Sequence, residues 1–432
     1  MIKLSNKAFY KRHSLEIEKF INNKKTLHIQ NQNSKKKLNI QGIENIYLDL
    51  NNKNVDIKLT QKYERIVLTD VIEHHPDIYT LLSLISDHLQ YDGKLILSSI
   101  NSKYNWLIKL LETLNLKDKN NTKSLIHIDL IENITNAVGL DYQKKFTKQI
   151  FPFKIFYIGQ FLNKFLEILF FYFNFGIKTY MIFRLKDQRS SSFSKAIIIP
   201  AKNEEGNLKE LVDRIPKFEN TEIIFSYGKS EDKTLDMMES ISKSNKDFDF
   251  KIIKQSENGK ANAVWEALDH TENDLIAILD ADISVEPETL TEFFEILENN
   301  KADFVNGTRL VYDMEKKSMK YLNKIGNRFF QFFIGKIIKE KLSDSLCGTK
   351  VFKKSYLSDL KFWQDYFWIK DPFGDFDLLF SAAYTGQKIV ELPITYRERR
   401  YGVTQISRFK DGFRLLIYLV ASFVAFNTSR NV

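Results

Sequence analysis

Residues 274–287 read DLIAILDADISVEP, an apolar run that stops on Asp280, one small residue and Asp282. Two carboxylates held about 4 Å apart repel by roughly 1 kcal/mol in water and roughly 4 kcal/mol near a protein surface. A hard divalent cation offsets that repulsion, because such ions take carboxylate oxygens together with substrate phosphates. The competing reading is local: Asp282 and Glu286 introduce the next helix, where acids suit the positive end of the dipole. From this stretch alone, both readings stand.

The elements that must position the pair help to choose. Downstream of residue 195 the strand-like runs AIIIP, EIIFSY, KIIKQ and DLIAIL alternate with NLKELVDRI, KTLDMMESI and KANAVWEAL. Leu208, Leu211, Val212 and Ile215 share one helical face, and Leu290, Phe293, Phe294 and Leu297 repeat the spacing. Strand and helix in turn predict a parallel sheet covered on both faces, with ligands at the carboxyl ends of its strands. The acid pair falls at that end, with the polar loops PAKNEEGN (200–207) and GKSED (228–232). Three such loops at one edge favour the metal reading.

Five stretches in order along 195–427 carry a family likeness: IIIPAKNEEGNL, ILDADISVEP, FVNGTRLVY (304–312), DSLCGTKVFKKS (344–355) and DPFGDFDLLFSAAYTGQKIVELPITYRERRYGVTQISR (371–408). Together they resemble the inverting family-2 glycosyltransferases with the nucleotide-diphospho-sugar transferase (GT-A) fold, and among those the dolichyl-phosphate mannose synthase-like enzymes. The resemblance implies a nucleotide-diphospho-sugar donor and Mg²⁺ or Mn²⁺, placed to meet the negative charge growing on the departing diphosphate. It makes Asp282 the direct metal ligand, with Asp280 at the metal edge or on the ribose. Pro200, Ala201, Asn203 and Glu204 would hold base and ribose, with Asp232 and Lys260 as lesser contacts. Arg309 and Arg399 would grip phosphate through the planar fork that lysine lacks, whereas Arg397 and Arg400 read as solvated surface residues.

For a sugar-hydroxyl acceptor a general base is needed, and Asp375, then Asp377, are the candidates. A lipid phosphate is already a nucleophile, so that Asp375 would then position groups. Residues 318–338 bear on this choice. Tyr321, Leu322, Ile325, Phe329, Phe332 and Phe333 form an aromatic face interrupted by Lys320, Lys324, Arg328 and Lys336. A core helix explains the apolar half; a basic amphipathic helix on a membrane surface explains both. The expected partners are therefore a lipid-phosphate or saccharide acceptor and a membrane surface, on the inner, cytoplasmic face of which the protein would sit peripherally.

One departure is plain. The family commonly has paired acids after its second strand, but FSYGKSED puts Ser226 and Tyr227 there and keeps only Asp232. That leaves the nucleotide unassigned, with the Tyr227 ring as a possible base-stacking surface.

The 432 residues call for two domains, and the polar, serine-rich stretch 187–194 is the expected linker between 1–186 and 195–432. Cys347, the single cysteine, excludes an internal disulfide framework and points to a reducing compartment. The net charge of +9 is scattered and carries no nucleic-acid motif. Neither 165–177 nor 415–426 is long enough to span a bilayer.

The N-terminal half also alternates, and ERIVLTDVIEHHPD, LQYDGKLILSSINS and HIDLIENITNAVGLDYQKK resemble class I methyltransferases that use S-adenosylmethionine. The resemblance implies a Rossmann-like sheet, giving two α/β domains in all. That family needs a glycine-rich turn after its first strand, and LHIQNQNSKKK has no glycine. Cofactor binding is therefore not expected; Asp49 is at most a remnant of the ribose acid, and Glu73, His74 and His75 are inherited motif. The competing functions are a methyltransferase or bifunctional enzyme, a nucleotidyltransferase making the activated sugar, and a catalytically silent nucleotide-binding module.

Overall fold

The computed structural model describes the chain apart from residues 1, 2, 5, 33–37, 39, 41, 42, 50–58, 105, 107–112, 114–127, 151, 152, 155–157, 171–174, 187–192, 310–320, 341, 370, 372, 400, 402–407 and 428–432. Most of the expected linker, residue 320 and residue 400 thus lie outside the described residues. The chain forms two compact units, Met1–Gln188 with Asn427–Val432, and Arg189–Phe426.

The first unit contains β1 (Lys3–Leu4), α1 (Asn6–Ile21), β2 (Thr26–Asn31), β3 (Glu44–Leu48), β4 (Tyr63–Thr69), α2 (Ile78–Asp87), β5 (Leu89–Ile100), α3 (Ile128–Ala137), β6 (Leu140–Lys148), β7 (Phe153–Lys154), α4 (Ile158–Leu169) and β8 (Lys178–Leu185). Its six-stranded sheet has the order β3-β2-β4-β5-β8-β6. The first four strands pair parallel, and β8 runs antiparallel to both β5 and β6. The central strands β4, β5 and β8 are apolar on both sides because both faces are covered. Leu27, Ile29, Ile66, Leu68, Leu95 and Leu97 meet Leu81, Leu82 and Ile85 of α2, while Val67, Ile96 and Ile182 meet Ile17 and Phe20 of α1. At the carboxyl end of β4, Asp70 takes a left-handed conformation (φ 54°) and pairs with buried Lys178. Glu73 is buried, its Oε1 accepting the Ile100 N–H at 2.7 Å. Burial, then the Asp70 charge, pushes its carboxyl up to about 7.

The second unit contains β9 (Lys195–Ala201), α5 (Glu205–Arg214), β10 (Thr221–Tyr227), α6 (Thr234–Ser244), β11 (Asp249–Lys254), α7 (Lys260–Leu268), β12 (Leu275–Ile278), α8 (Leu290–Glu298), β13 (Phe304–Thr308), α9 (Tyr321–Ile338), β14 (Lys350–Lys353), α10 (Leu357–Tyr366), α11 (Asp375–Tyr384), β15 (Ile389–Pro393) and α12 (Arg408–Asn427). The sheet order is β11-β10-β9-β12-β14-β13-β15. This corrects the all-parallel expectation: β14 runs antiparallel to both β12 and β13. Because β13 ends and β14 begins at the same edge of the sheet, β14 must run backwards. Its first residue, Lys350, pairs with Ile278 at the end of β12, two residues before the acid pair. The reversal thus brings a new segment to the edge where the acids lie.

The helical face read from Leu290, Phe293, Phe294 and Leu297 is buried, as its spacing predicts. A second core is aromatic. Trp363 of α10, Phe376 and Phe380 of α11 and Tyr418 of α12 meet in one cluster, and Phe330 of α9 lies against Phe376 with ring centroids 5.4 Å apart. The helices α9 and α12 therefore both anchor on α11.

Candidate active site

The strands β9, β10 and β12 run parallel, so the loops that follow them share an edge. After β12, Asp282 is buried and Asp280 half-buried. Ile283 then adopts a left-handed conformation (φ 53°), a strain of order 1–3 kcal/mol, of the kind stored at functional sites. Past this turn the Asp282 Oδ1 accepts the Ser284 N–H at 3.0 Å, while Oδ2 accepts Arg399 Nη2 at 2.7 Å. Asp280 is paired with Lys260 Nζ, at the start of α7, at 2.6 Å. Burial weakens the Lys260 charge, but Asp280 and then Asp375 outweigh it, so its pKa is raised. Gly348 passes so close that a Cβ there would strike both the Asp280 carboxylate and the Lys260 ammonium; only glycine lets the backbone approach.

Asp375 opens α11 after Gly374 (φ 81°), and its Oδ1 accepts Lys350 Nζ at 2.9 Å. Lys350 is fully buried and donates also to the Cys347 carbonyl. Asp377 departs from its expected role. Its Oδ1 accepts Trp363 Nε1 at 3.2 Å and the Tyr418 hydroxyl, and burial pushes it up to about 6. It belongs to the aromatic core, two positions along the helix and so on nearly the opposite face from Asp375. Asp371 caps the same helix, its Oδ2 accepting the Phe376 and Asp377 N–H groups at 2.6 and 3.3 Å, and burial pushes it up to about 7.

Pro200 and Ala201 are the last residues of β9. Asn203 sits at φ 57°, its Oδ1 accepting the Glu231 N–H at 2.8 Å and its own N–H donating to Ser230 Oγ at 3.1 Å. Glu204 is buried, with Oε2 accepting Asn207 Nδ2 at 2.5 Å and Oε1 3.4 Å from Arg399 Nη1. Burial pushes its carboxyl up to about 7, against Asn207 and Arg399, with Asp282 and Asp280 adding to the rise.

Three expectations change here. Asp232 stitches α5 to α6, Oδ1 accepting the Thr234 N–H at 3.1 Å and Oδ2 the Glu205 N–H at 3.2 Å, so both its oxygens already hold backbone groups at the starts of these helices. Ser226 is fully buried and donates to the Ala263 carbonyl of α7 at 2.7 Å, tying β10 to that helix, while the Tyr227 hydroxyl accepts the Ser230 N–H at 3.2 Å and braces its own loop. Arg309 does not present a free fork. Its Nε and Nη2 meet Asp344 Oδ2 and Oδ1 at 2.6 and 2.9 Å, and its guanidinium lies 5.0 Å over the Tyr396 ring.

Arg399 belongs to a strap across the edge. Tyr396 bridges to Val285, the Arg397 N–H donates to the Ser284 carbonyl at 2.9 Å, and the Arg397 side chain pairs with Glu286. Tyr401 lies over Gly206, where a Cβ would come within 2.7 Å of its ring, and its hydroxyl is 3.5 Å from Asp232 Oδ2. The edge therefore gathers Glu204, Asp280, Asp282, Lys260 and Arg399, with Asp375–Lys350 beside them. Lys350 and Gly348 escaped sequence reasoning; the available signal was a lysine opening the short, fully buried strand KVFK.

Among the described residues, no group of three His, Cys, Asp or Glu side chains is arranged to hold a metal. Asp280 and Asp282 suit a hard cation whose remaining ligands are phosphates, yet each already carries an internal cation.

The family model for Glycosyl transferase family 2 matches residues 196–361. This stretch is similar to family-2 glycosyltransferase domains. Among curated relatives, the dolichol-phosphate mannosyltransferase of Pyrococcus furiosus is 25% identical over 220 residues, 49% of this chain and 58% of the relative. The dolichyl-phosphate hexose transferase of Haloferax volcanii is 27% identical over 162 residues, 38% of this chain and 67% of the relative. The dodecaprenyl-phosphate galacturonate synthase of Rhizobium johnstonii is 24% identical over 243 residues, covering 53% and 66%. A crystal structure of glucosyl-3-phosphoglycerate synthase from Mycobacterium tuberculosis is similar at 16% identity, covering 54% of this chain and 80% of that one at a TM-score of 0.40, too low to bear on the site. The family-2 domain and its hexosyltransferase relatives support a glycosyltransferase enzyme.

Proposed function

We propose that the second unit transfers a sugar from a nucleotide-diphospho-sugar, with inversion at the anomeric carbon, to a polyprenyl phosphate or another membrane-associated acceptor. The observation that carries this reading is the meeting of two strand-end acids, two cations and the Asp375–Lys350 pair at one edge of the family-2 domain. The relatives named for dolichyl and dodecaprenyl phosphates support the acceptor class.

In this reading Pro200, Ala201, Asn203 and Glu204 face base and ribose. Asp282, with Asp280, would hold Mg²⁺ or Mn²⁺, which supplies positive charge for the leaving diphosphate. Lys260 and Arg399 meet the same phosphates, and Gly348 keeps the backbone low under the donor. The acceptor oxygen attacks the anomeric carbon as the bond to the diphosphate breaks. With a hydroxyl acceptor, Asp375 takes the proton; with a phosphate acceptor, no proton needs removal and the Lys350–Asp375 pair orients the nucleophile. Arg309, paired with Asp344, supports the fold of the acceptor-side segment.

The outward faces of α9 and α12 support placement on a membrane surface. Ile325, Phe329, Phe332 and Phe333 are exposed on α9, and Phe413, Ile417, Val420 and Val424 on α12, among the basic residues Arg328, Lys336, Lys410 and Arg414. Apolar faces with basic neighbours suit the interface of an anionic bilayer. No described helix is long and apolar enough to cross a membrane. For the first unit we infer a scaffold or docking role: Asp70 is already paired with Lys178, and no glycine-rich turn follows β2.

Sugar-nucleotide turnover with Mn²⁺ or Mg²⁺, measured on the wild type and Asp282→Ala, tests the reading. Metal-dependent turnover is expected to vanish in the variant while its thermal transition stays in place; a variant that turns over normally sinks the assignment.

A further inference from the structure

The acid edge presents a competition. A divalent ion on Asp282 needs the carboxylate oxygen that Arg399 Nη2 holds at 2.7 Å. The same guanidinium reaches towards Glu204 Oε1 at 3.4 Å, while Lys260 holds Asp280 at 2.6 Å. These cations belong to the site itself. Arg399 is fixed by a strap with four further attachments: the Tyr396–Val285 bridge, the Arg397 N–H to Ser284, Arg397 to Glu286, and Tyr401 over Gly206. The strap docks on residues 284–286, directly after the acid pair, so its seating and the position of Asp282 are linked.

We propose that Arg399 is a built-in cation that occupies Asp282 while no donor is bound, so that a divalent ion and the donor diphosphate must enter together. The inference rests on the donor reading above and deepens it. A diphosphate offers Arg399 an alternative bidentate partner of higher charge than one carboxylate. When the guanidinium turns to phosphate, the Asp282 oxygen is released to a cation that the same phosphates help to ligate. Metal and donor then bind with positive coupling, and by linkage each tightens the other by the same factor. Removing Arg399 takes away the competitor, so the empty protein should gain metal affinity even as it loses one grip on the diphosphate. This opposite movement of two affinities separates a competing cation from a residue that only supports the fold. Arg399 is partly solvent-exposed, so its replacement is not expected to unfold the unit.

The experiment is a Mn²⁺ titration followed by the electron paramagnetic resonance of free Mn²⁺, on the full chain and on Arg399→Gln and Arg399→Lys. Each is measured alone and with saturating UDP or GDP, with a thermal melt as a folding control. In the wild type, whichever nucleotide binds should tighten Mn²⁺ at least tenfold. In Arg399→Gln, Mn²⁺ alone should bind at least tenfold more tightly than to the wild type, and the nucleotide should tighten it by a clearly smaller factor than in the wild type, because the phosphates still ligate the ion but no longer displace a competitor. Arg399→Lys keeps the charge without the fork and should fall between. If folded Arg399→Gln binds Mn²⁺ alone no better than the wild type, the competition is refuted while the donor reading survives. If the wild type takes up no Mn²⁺ with either nucleotide, the donor reading and this inference fall together.

Discussion

Arg309 offers the sharpest test of how tertiary pairing redefines a residue, because a phosphate grip and a buried structural pair predict opposite phenotypes. Asp344 is fully buried and accepts four kinds of donor: both arms of the Arg309 fork, the Arg309 N–H at 3.1 Å, Asn327 Nδ2 at 2.7 Å and the Leu346 N–H at 3.0 Å. Among the described residues, Arg309 supplies the only charge that balances this carboxylate at hydrogen-bond distance, and Arg309→Gln removes it. Breaking one partner of a buried ion pair costs about 3–5 kcal/mol, which for a unit of this size lowers the melting temperature by roughly 6–20 °C. Asp344→Asn alone should cost a similar amount, and Arg309→Gln/Asp344→Asn much less than the sum, because neither residue is then left as an unpaired charge.

The pH dependence sharpens the test. Burial acts to raise the Asp344 pKa, but the charge and hydrogen bonds of Arg309 hold it below the ordinary carboxylate range. Its stabilising contribution in the wild type is therefore present above the unfolded pKa and lost as pH falls through the lower folded value. In Arg309→Gln burial dominates and the folded pKa rises above the unfolded one, so the variant is penalised as pH increases. The melting-temperature gap between wild type and variant should be small near pH 4.5 and widest above pH 7. Wild-type stability with a raised KM for the donor would refute the structural assignment and restore the phosphate grip.

Asp375→Asn should reduce transfer by at least a hundredfold with a hydroxyl acceptor, whereas Asp377→Asn should retain activity and be no less stable at pH 8, since burial already disfavours its charge. Gly348→Ala forces a methyl group against Asp280 and Lys260, so it should raise the donor KM strongly while the melting temperature moves by only a few degrees. Replacing exposed Phe329, Phe413 and Val420 with Glu should abolish co-sedimentation with anionic liposomes without changing turnover of the donor in solution; unaltered sedimentation would count against the membrane face.

How much was legible beforehand follows from range. The strand-end position of Asp280 and Asp282 and the buried face of α8 depend on spacing within a dozen residues, and spacing is visible in a sequence. The pairing of Asp375 was not visible, because Lys350 reaches it through a strand whose reversed direction depends on where β13 ends. Asp375 and Asp377 looked alike as letters, yet two positions on a helix differ by about 200° in direction, and that rotation sends one towards Lys350 and the other into Trp363 and Tyr418.

By itself the sequence determined the chemistry on offer: which loops carry acids, which segments alternate as strand and helix, and which family the second half resembles. Only the tertiary structure decided the partners, giving Arg309 to Asp344, Arg399 to Asp282 and Lys260 to Asp280. The reason is physical. Periodicity is a property of neighbouring residues, but charge in a low-dielectric interior is settled by whatever counter-charge the fold brings within about 3 Å, however distant in the chain.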